Sequence, residues 1–111
     1  MSSVSLNQID PALRNLVARL NKKERATIFS CEGHAPGYRG YLMFEKKFFK
    51  KNKGLLEEVV AVFHDKRTYT FHEVWIEEPK QTLWWEIKPE KEVDVHFFTS
   101  IFEEVFYGDK R

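Results

Sequence analysis

Apolar residues recur at helical spacing in three segments of the chain. The first segment covers residues 11–22, where Asp10 can cap a helix and Pro11 suits its first position. The apolar residues stand at positions i, i+3, i+4 and i+7, namely Leu13, Leu16, Val17 and Leu20. This spacing places them on one face and predicts an amphipathic helix.

Two further segments follow the same pattern. Residues 55–64 predict a helix, although their β-branched residues leave a strand open as the alternative. The C-terminal segment begins after Asp94, which can cap a helix, and Val93 is placed to pack against Phe98. Gly108 stands where a C-terminal cap belongs. The apolar residues of these two segments are Leu56, Val59, Val60 and Phe63, and then Phe98, Ile101, Phe102 and Val105.

Four segments rich in β-branched and aromatic residues predict strands, and short connections join them in pairs. The strands are 26–31, 41–44, 67–77 and 82–87, with a hairpin-type connection at residues 78–81. Such short connections imply antiparallel pairing. The sequence therefore predicts a single α+β domain over residues 1–111. Its four-stranded, mainly antiparallel sheet carries three helices on one face, in the order α-β-β-α-β-β-α.

The composition agrees with a folded intracellular domain. Of the 111 residues 42% are hydrophobic and 15% aromatic, which is enough for a core. No apolar run approaches the roughly 18 residues of a membrane span, and the first residues do not follow the pattern of a signal peptide. Cys31 is the single cysteine, so an intrachain disulfide is excluded. We expect a cytoplasmic protein that does not bind a membrane.

The small net charge of +1 hides an asymmetry between the two halves of the chain. Residues 1–54 hold eleven Lys or Arg and four Asp or Glu, whereas residues 55–111 hold seven and thirteen. Such asymmetry can indicate an acidic partner for the basic half. The favoured interpretation is that the two halves attract one another in the fold or are simply solvated.

One short segment has the features of a site. Ser30-Cys31-Glu32-Gly33-His34 ends a predicted strand and opens a loop with three glycines in residues 33–40. Glycines allow unusual backbone angles and close approach of a ligand, and successive N–H groups can bind an anion. Ser30, Gly33 and Arg39 are the candidate ligand-binding residues, with Arg39 as the anchor for an anion.

The same loop allows a catalytic interpretation. Cys31 would be the nucleophile, with His34 favouring its thiolate and carrying the proton, and Glu32 is a candidate acid or base. The favoured alternative is that Cys31 is a small packing residue. A closed zinc site needs two ligands beyond Cys31 and His34, so we predict no metal and no cofactor.

The segment also carries a resemblance to known proteins. A helix ending in Leu-Asn-Lys-Lys, a short strand and Ser-Cys-Glu-Gly-His resemble small uncharacterised bacterial and phage-type proteins. The segment is also similar to the Ser-Cys-Ser-Gly start of the tRNA wybutosine-synthesis methyltransferase family. That resemblance covers about residues 10–44 and implies that Ser30, Cys31 and Gly33 lie beside a substrate and S-adenosylmethionine. Glu32 departs from the family pattern, and the chain is much shorter than such a methyltransferase.

Two surfaces are candidates for contact with a partner. Lys46, Lys47, Lys50 and Lys51 surround Phe48 and Phe49, a combination that can bind phosphates and stack bases. The simpler interpretation is a solvated connection anchored by the two Phe. Adjacent residues of a strand point to opposite faces, so Trp84 and Trp85 must diverge. Trp75 and Trp84 could then form a partner or dimer surface unless a helix covers each face.

The sequence thus leaves three functional hypotheses. The favoured one is a non-enzymatic binding module whose partner is another protein or a second copy of the chain. The second is a small-molecule binder or enzyme that uses the Cys31–His34 loop. The third is nucleic-acid binding through residues 46–53.

Overall fold

The architecture is α+β, as the sequence predicts. The structure is a computed structural model that describes residues 11–31, 33, 39–66, 71–91 and 95–108. Within these residues the chain forms four α-helices: α1 (Pro11–Leu20), α2 (Lys46–Lys51), α3 (Lys53–Lys66) and α4 (Val95–Tyr107). Four strands accompany them: β1 (Thr27–Cys31), β2 (Arg39–Phe44), β3 (Phe71–Glu77) and β4 (Thr82–Ile87).

The four strands form one antiparallel sheet in the order β1-β2-β4-β3. Each hairpin therefore contributes one edge strand and one central strand, and β2 pairs with β4 across the middle. A 3₁₀ turn at Glu78–Lys80 joins β3 to β4, and Gln81 closes it in the left-handed region at φ 46°. The hairpin-type connection predicted at residues 78–81 is confirmed.

The hydrophobic core lies between one face of the sheet and the helices. Alternate residues of β2 and β4 point into it, and all of them are buried: Gly40, Leu42, Phe44, Leu83, Trp85 and Ile87. The helices supply facing rings, and those of Phe98 and Trp85 lie 4.0 Å apart. Phe48 and Phe102 pack on Phe44 in the same way. Antiparallel sheets commonly bury one face like this.

The helical periodicities in the sequence are confirmed. In α1 the four residues at helical spacing are the buried ones. Residues 55–64 lie within α3, where Leu56, Val59 and Phe63 are buried on one face, so the strand alternative for this segment is wrong. Gly108 adopts φ 71° and donates its N–H to the carbonyl of Glu104, which confirms the C-terminal cap.

Residues 46–51 differ from the prediction, because the expected connection is a helix. Two consecutive Phe cannot both face the core from a strand, where neighbours point to opposite sides. On a helical turn Phe48 and Phe49 both reach the interior, and each is at most 5% exposed. The number of helices therefore rises from three to four in the described part of the chain.

Several sequence predictions about the fold lie outside the described residues. They include the caps at Asp10 and Asp94, the packing of Val93 on Phe98, and the first part of the third strand at 67–70. Among the helices that the structure describes, none combines the length and the apolar character needed to cross a membrane.

The two oppositely charged halves of the chain meet in the fold. Three ion pairs of the described residues join them, namely Arg19–Glu103, Arg39–Glu86 and Lys53–Glu78. Exposed pairs of this kind contribute little stability individually, typically about 0–1 kcal/mol. Attraction between the halves therefore accounts for part of the charge asymmetry, but it leaves several lysines of the first half unpaired in the described structure.

Gly40 lies in direct contact with the largest side chain of the core. It pairs with Trp85 across the central strands, and the indole ring covers its α-carbon. A Cβ atom at this position would lie 2.1 Å from Nε1 of Trp85. No side chain fits in that space, so glycine here makes room for the largest buried residue of the core.

Gly40→Ala is expected to lower the free energy of unfolding by about 1–3 kcal/mol, because the new methyl group must displace Trp85. Gly54→Ala is the matched control, since a Cβ at Gly54 in α3 meets nothing within 4 Å. That control is expected to be neutral or to add up to about 1 kcal/mol. Urea unfolding measures both, and equal effects at the two positions would contradict the packing argument.

Candidate functional site

The second face of the sheet, here called the open face, packs against no helix in the described part of the chain. Cross-strand pairs share a face, so the register of the sheet identifies its members. They are Phe29 and Cys31 from β1, Arg39, Tyr41 and Met43 from β2, Glu73, Trp75 and Glu77 from β3, and Thr82, Trp84 and Glu86 from β4. The open face therefore combines five large apolar side chains with charged groups from three strands.

A row of side chains crosses the open face from one edge to the other. In register it runs Cys31, Tyr41, Trp84 and Trp75, one residue from each strand. The ring centroids of Tyr41 and Trp84 are 5.1 Å apart, and those of Trp84 and Trp75 are 6.1 Å apart and nearly parallel. All four residues are half-buried, and the three rings partly cover one another.

Polar contacts hold these rings in place. The indole Nε1 of Trp84 donates a hydrogen bond of 2.8 Å to Oε1 of Glu77. The guanidinium of Arg39 lies over the ring of Trp75, 5.5 Å from its centroid, and 3.9 Å from the carboxylate of Glu86. A cation over an indole face is attracted by the ring quadrupole. The row is therefore ordered before any partner arrives, which reduces the entropy lost on binding.

Phe29 is the most exposed large apolar residue in the described part of the chain. It lies on edge strand β1, pairs with Met43, and 53% of its surface is accessible. The β-bulge between Thr27 and Phe29 shifts the register just before it. Bulges re-aim side chains, and here the result is a phenyl ring that projects from the open face at its edge.

The predicted loop site is only partly visible in the described structure. Cys31 ends β1 on the open face beside Tyr41 and is half-buried rather than enclosed in the core. Ser30 pairs with Leu42 and so belongs to the helix-covered side. Glu32 and His34 lie outside the described residues. The proposed pairing of Cys31 with His34 therefore stays a prediction.

Two glycines of that loop are engaged in packing. Gly33 adopts φ 97°, the kind of backbone angle that the sequence predicted for this loop. It is buried, and a Cβ there would lie 3.2 Å from Cδ1 of Ile87. Gly40 is covered by Trp85. Arg39 is the third candidate ligand-binding residue after Ser30 and Gly33, and it lies on the open face.

The lysine candidates lie on the helix side of the molecule. Lys46, Lys47, Lys50 and Lys51 are exposed around α2. The phenyl rings between them are buried, so they anchor the helix and present no face on which a base could stack. Trp75 and Trp84 belong to the open face, and the four lysines therefore form a separate surface.

His64 and His72 lie at the β3 edge of the sheet, opposite the β1 edge that carries Cys31. Nε2 of His64 lies 3.1 Å from Oε1 of Glu73 and 3.1 Å from the carbonyl oxygen of Val74, at the edge of β3. A cavity of about 440 Å³ opens there, lined also by His72 and Lys88. Among the described residues, no three His, Cys, Asp or Glu side chains converge as metal ligands.

Comparisons of the chain with protein-family models, with curated proteins and with solved structures give no match. The resemblance of residues 10–44 to methyltransferases and to small bacterial or phage-type proteins stays a prediction. The open face is identified from the geometry of the sheet alone. Seven of its residues were absent from the sequence-based candidates: Phe29, Tyr41, Met43, Glu73, Glu77, Thr82 and Glu86. Their alternation with Leu42 and Phe44, or with Ile76, was the available signal.

Cys31 is expected to react with iodoacetamide in the folded protein, because its side chain stands on the open face and is not enclosed. The rate of alkylation in native buffer is followed by mass spectrometry. It is compared with the rate in about 6 M guanidinium chloride, where the unfolded chain exposes the thiol fully. Since Cys31 is the single thiol, the signal is unambiguous. Labelling seen only after unfolding would return Cys31 to the role of a packing residue.

Proposed function

We propose that the protein is a non-enzymatic binding module that holds a basic segment of a partner protein on the open face of its sheet. The observation that carries this proposal is the exposed phenyl ring of Phe29 beside an ordered aromatic row. Aromatic residues are enriched at the centres of protein interfaces, where their burial supplies most of the binding energy.

The apolar part of the open face favours an extended partner. Phe29 and Met43 form one cross-strand pair, and Cys31 and Tyr41 form the next but one along the same two strands. Side chains of an extended segment alternate with a period of two, which suits such rows. Every second residue of the partner could therefore rest on the rows.

The charge of the open face favours a basic partner. Glu77 and Glu86 stand beside the aromatic row, and Glu73 pairs in register with Glu86 at the edge. Arg39 is the only cation that the described residues place on this face, and it is engaged with Glu86 and Trp75. The excess of carboxylates attracts Lys or Arg side chains of a partner.

The same charges disfavour a nucleic acid on the open face. Phosphate groups would approach Glu77 and Glu86 without a compensating cluster of cations, and like charges brought together at an interface cost several kcal/mol, as an order of magnitude. Stacking of bases would also require accessible ring faces. Trp84 and Trp75 instead stack on each other, and Arg39 covers part of Trp75.

The test uses two synthetic peptides of ten residues, one alternating Arg with Leu and one alternating Glu with Leu. The basic peptide is expected to change the tryptophan fluorescence and to slow alkylation of Cys31, while the acidic peptide does neither. Phe29→Ser is expected to weaken binding at least about fivefold, the effect of losing one contributing interface contact. Stability is expected to change little, because the side chain is mostly exposed.

Two further variants distinguish electrostatic recognition from nonspecific hydrophobic binding. Glu77→Gln keeps an acceptor for Trp84 and removes a carboxylate, so binding of the basic peptide is expected to weaken and to become less sensitive to salt. Tyr107→Ala removes the other exposed large aromatic residue in the described part of the chain, on α4, and is expected to leave binding unchanged. Equal binding of the two peptides, or an equal effect of Tyr107→Ala and Phe29→Ser, would overturn the proposal.

A further inference from the structure

Five lysines of the first half of the chain that have no ion pair in the described fold gather on one surface, here called the lysine ridge. It consists of helix α2 with Lys46, Lys47 and Lys50, and of the turn after α1 with Lys22 and Lys23. None of these five lysines has an ion-pair partner among the described residues. By contrast, Lys51 pairs with Glu24, and Glu78 engages Lys53 and raises its pKa by accepting its hydrogen bond.

Contacts of the described residues place the turn beside α2. The carboxylate of Glu24 lies 3.2 Å from Nζ of Lys51, and that of Glu45 lies 3.2 Å from Arg25. Asn21 fixes the turn, since its Oδ1 accepts the backbone N–H groups of Ala26 and Thr27. The lysines of the turn and of α2 therefore belong to one continuous surface.

The arrangement of charge on α2 is unfavourable for the helix itself. Lys46 and Lys50, and likewise Lys47 and Lys51, stand four residues apart, where like charges repel on a helix. Lysines also occupy the first turn of α2, which contains no acidic residue, so they oppose the helix dipole. A polyanion bound to the ridge would remove the first penalty. The fold offsets only part of this charge, through the ion pair of Lys51 with Glu24 and the position of Lys50 and Lys51 in the last turn of the helix.

Depressions lie on both flanks of α2. One, of about 340 Å³, is lined by Lys46, Lys50 and Gln81 and by the ion pair of Lys53 with Glu78. The other, of about 410 Å³, is lined by Lys22 and Lys23 and by the ion pair of Lys51 with Glu24, among others. The helix therefore stands between two grooves, and the wall of each groove carries two lysines that are unpaired among the described residues, beside an ion pair.

We propose that the lysine ridge binds the phosphate backbone of double-stranded nucleic acid, with α2 facing a groove. A helix with its side chains is about 10–12 Å across, close to the roughly 12 Å width of the major groove of B-DNA. Lysines on the two flanks of α2 would then reach phosphates of both strands. Phe48 and Phe49 are buried, so bases are not stacked and sequence is not read.

The same burial sets the ridge apart from other polyanion-binding surfaces. Single-strand binders add aromatic platforms for the bases, and α2 offers none because both of its phenyl rings face the core. Membrane-binding helices insert an apolar face into the lipid, and the apolar residues of α2 are likewise unavailable. Duplex backbone, which needs only cations in two rows, is the partner that fits.

The test measures binding of a fluorescently labelled DNA duplex of about 20 base pairs by fluorescence anisotropy. The dissociation constant is determined at salt concentrations from about 25 to 200 mM. Binding is expected at low salt, with a slope of log K against log salt of about −4 to −5 for five phosphate contacts. Lys47→Gln and Lys50→Gln are each expected to reduce that slope by about one. Their melting temperatures are expected to stay level or rise, because glutamine keeps helix propensity and relieves repulsion.

Lys88→Gln is the matched control, since Lys88 follows the opposite end of β4 and lines the cavity near His64. Lys88→Gln is expected to leave the salt slope unchanged. Phe29→Ser on the open face is also expected to leave it unchanged, so this test does not depend on the proposed function. Contacts with the phosphate backbone are strongest at low salt, so absence of duplex binding at about 25 mM salt would overturn the proposal. So would tighter binding of the matching single strand, binding to phosphatidylserine vesicles but not to duplex, or equal effects of Lys88→Gln and Lys50→Gln.

Discussion

The contact of the Trp85 indole with the α-carbon of Gly40 is the constraint on which the rest of the fold depends. It joins β2 and β4, the two central strands, and it places the largest side chain of the core directly under Phe98 of α4. Because Trp85 takes this position, the alternation along β4 sends Trp84 to the other side. The open face and its aromatic row are therefore consequences of how the core is packed.

The two faces of the sheet differ in what their aromatic rings contact. On the helix side, rings such as Phe44 and Phe98 pack against rings from other elements and are fully enclosed. On the open face, Trp84 finds its partners within the sheet, in Tyr41, Trp75 and the carboxylate of Glu77. An aromatic row that is ordered but partly accessible is suited to binding, since little entropy remains to be lost.

Acidic and basic side chains also lie on different parts of the surface. Ion pairs such as Arg19–Glu103 and Arg39–Glu86 join the basic first half of the chain to the acidic second half. Charges left outside these pairs include the carboxylate of Glu77 in the aromatic row and the lysines of the lysine ridge. A net charge of +1 describes neither surface, and fields that act on partners are set by local clusters of charge rather than by the total. The protein thus presents two chemically different surfaces on opposite sides of one core.

The sequence alone determined the elements with clear periodicity, including α1, α4, the strands, and the divergence of Trp84 and Trp85, because local spacing dictates which side chains share a face. It could not decide which of these two indoles faces the core, since alternation defines two faces without saying which one the helices cover. Nor could it distinguish a connection from a helix at Phe48 and Phe49, because six residues are too short for a periodic signal. Those choices, and with them the open face and the lysine ridge, were made by tertiary packing, which buries the rings that fit against Gly40 and Phe44.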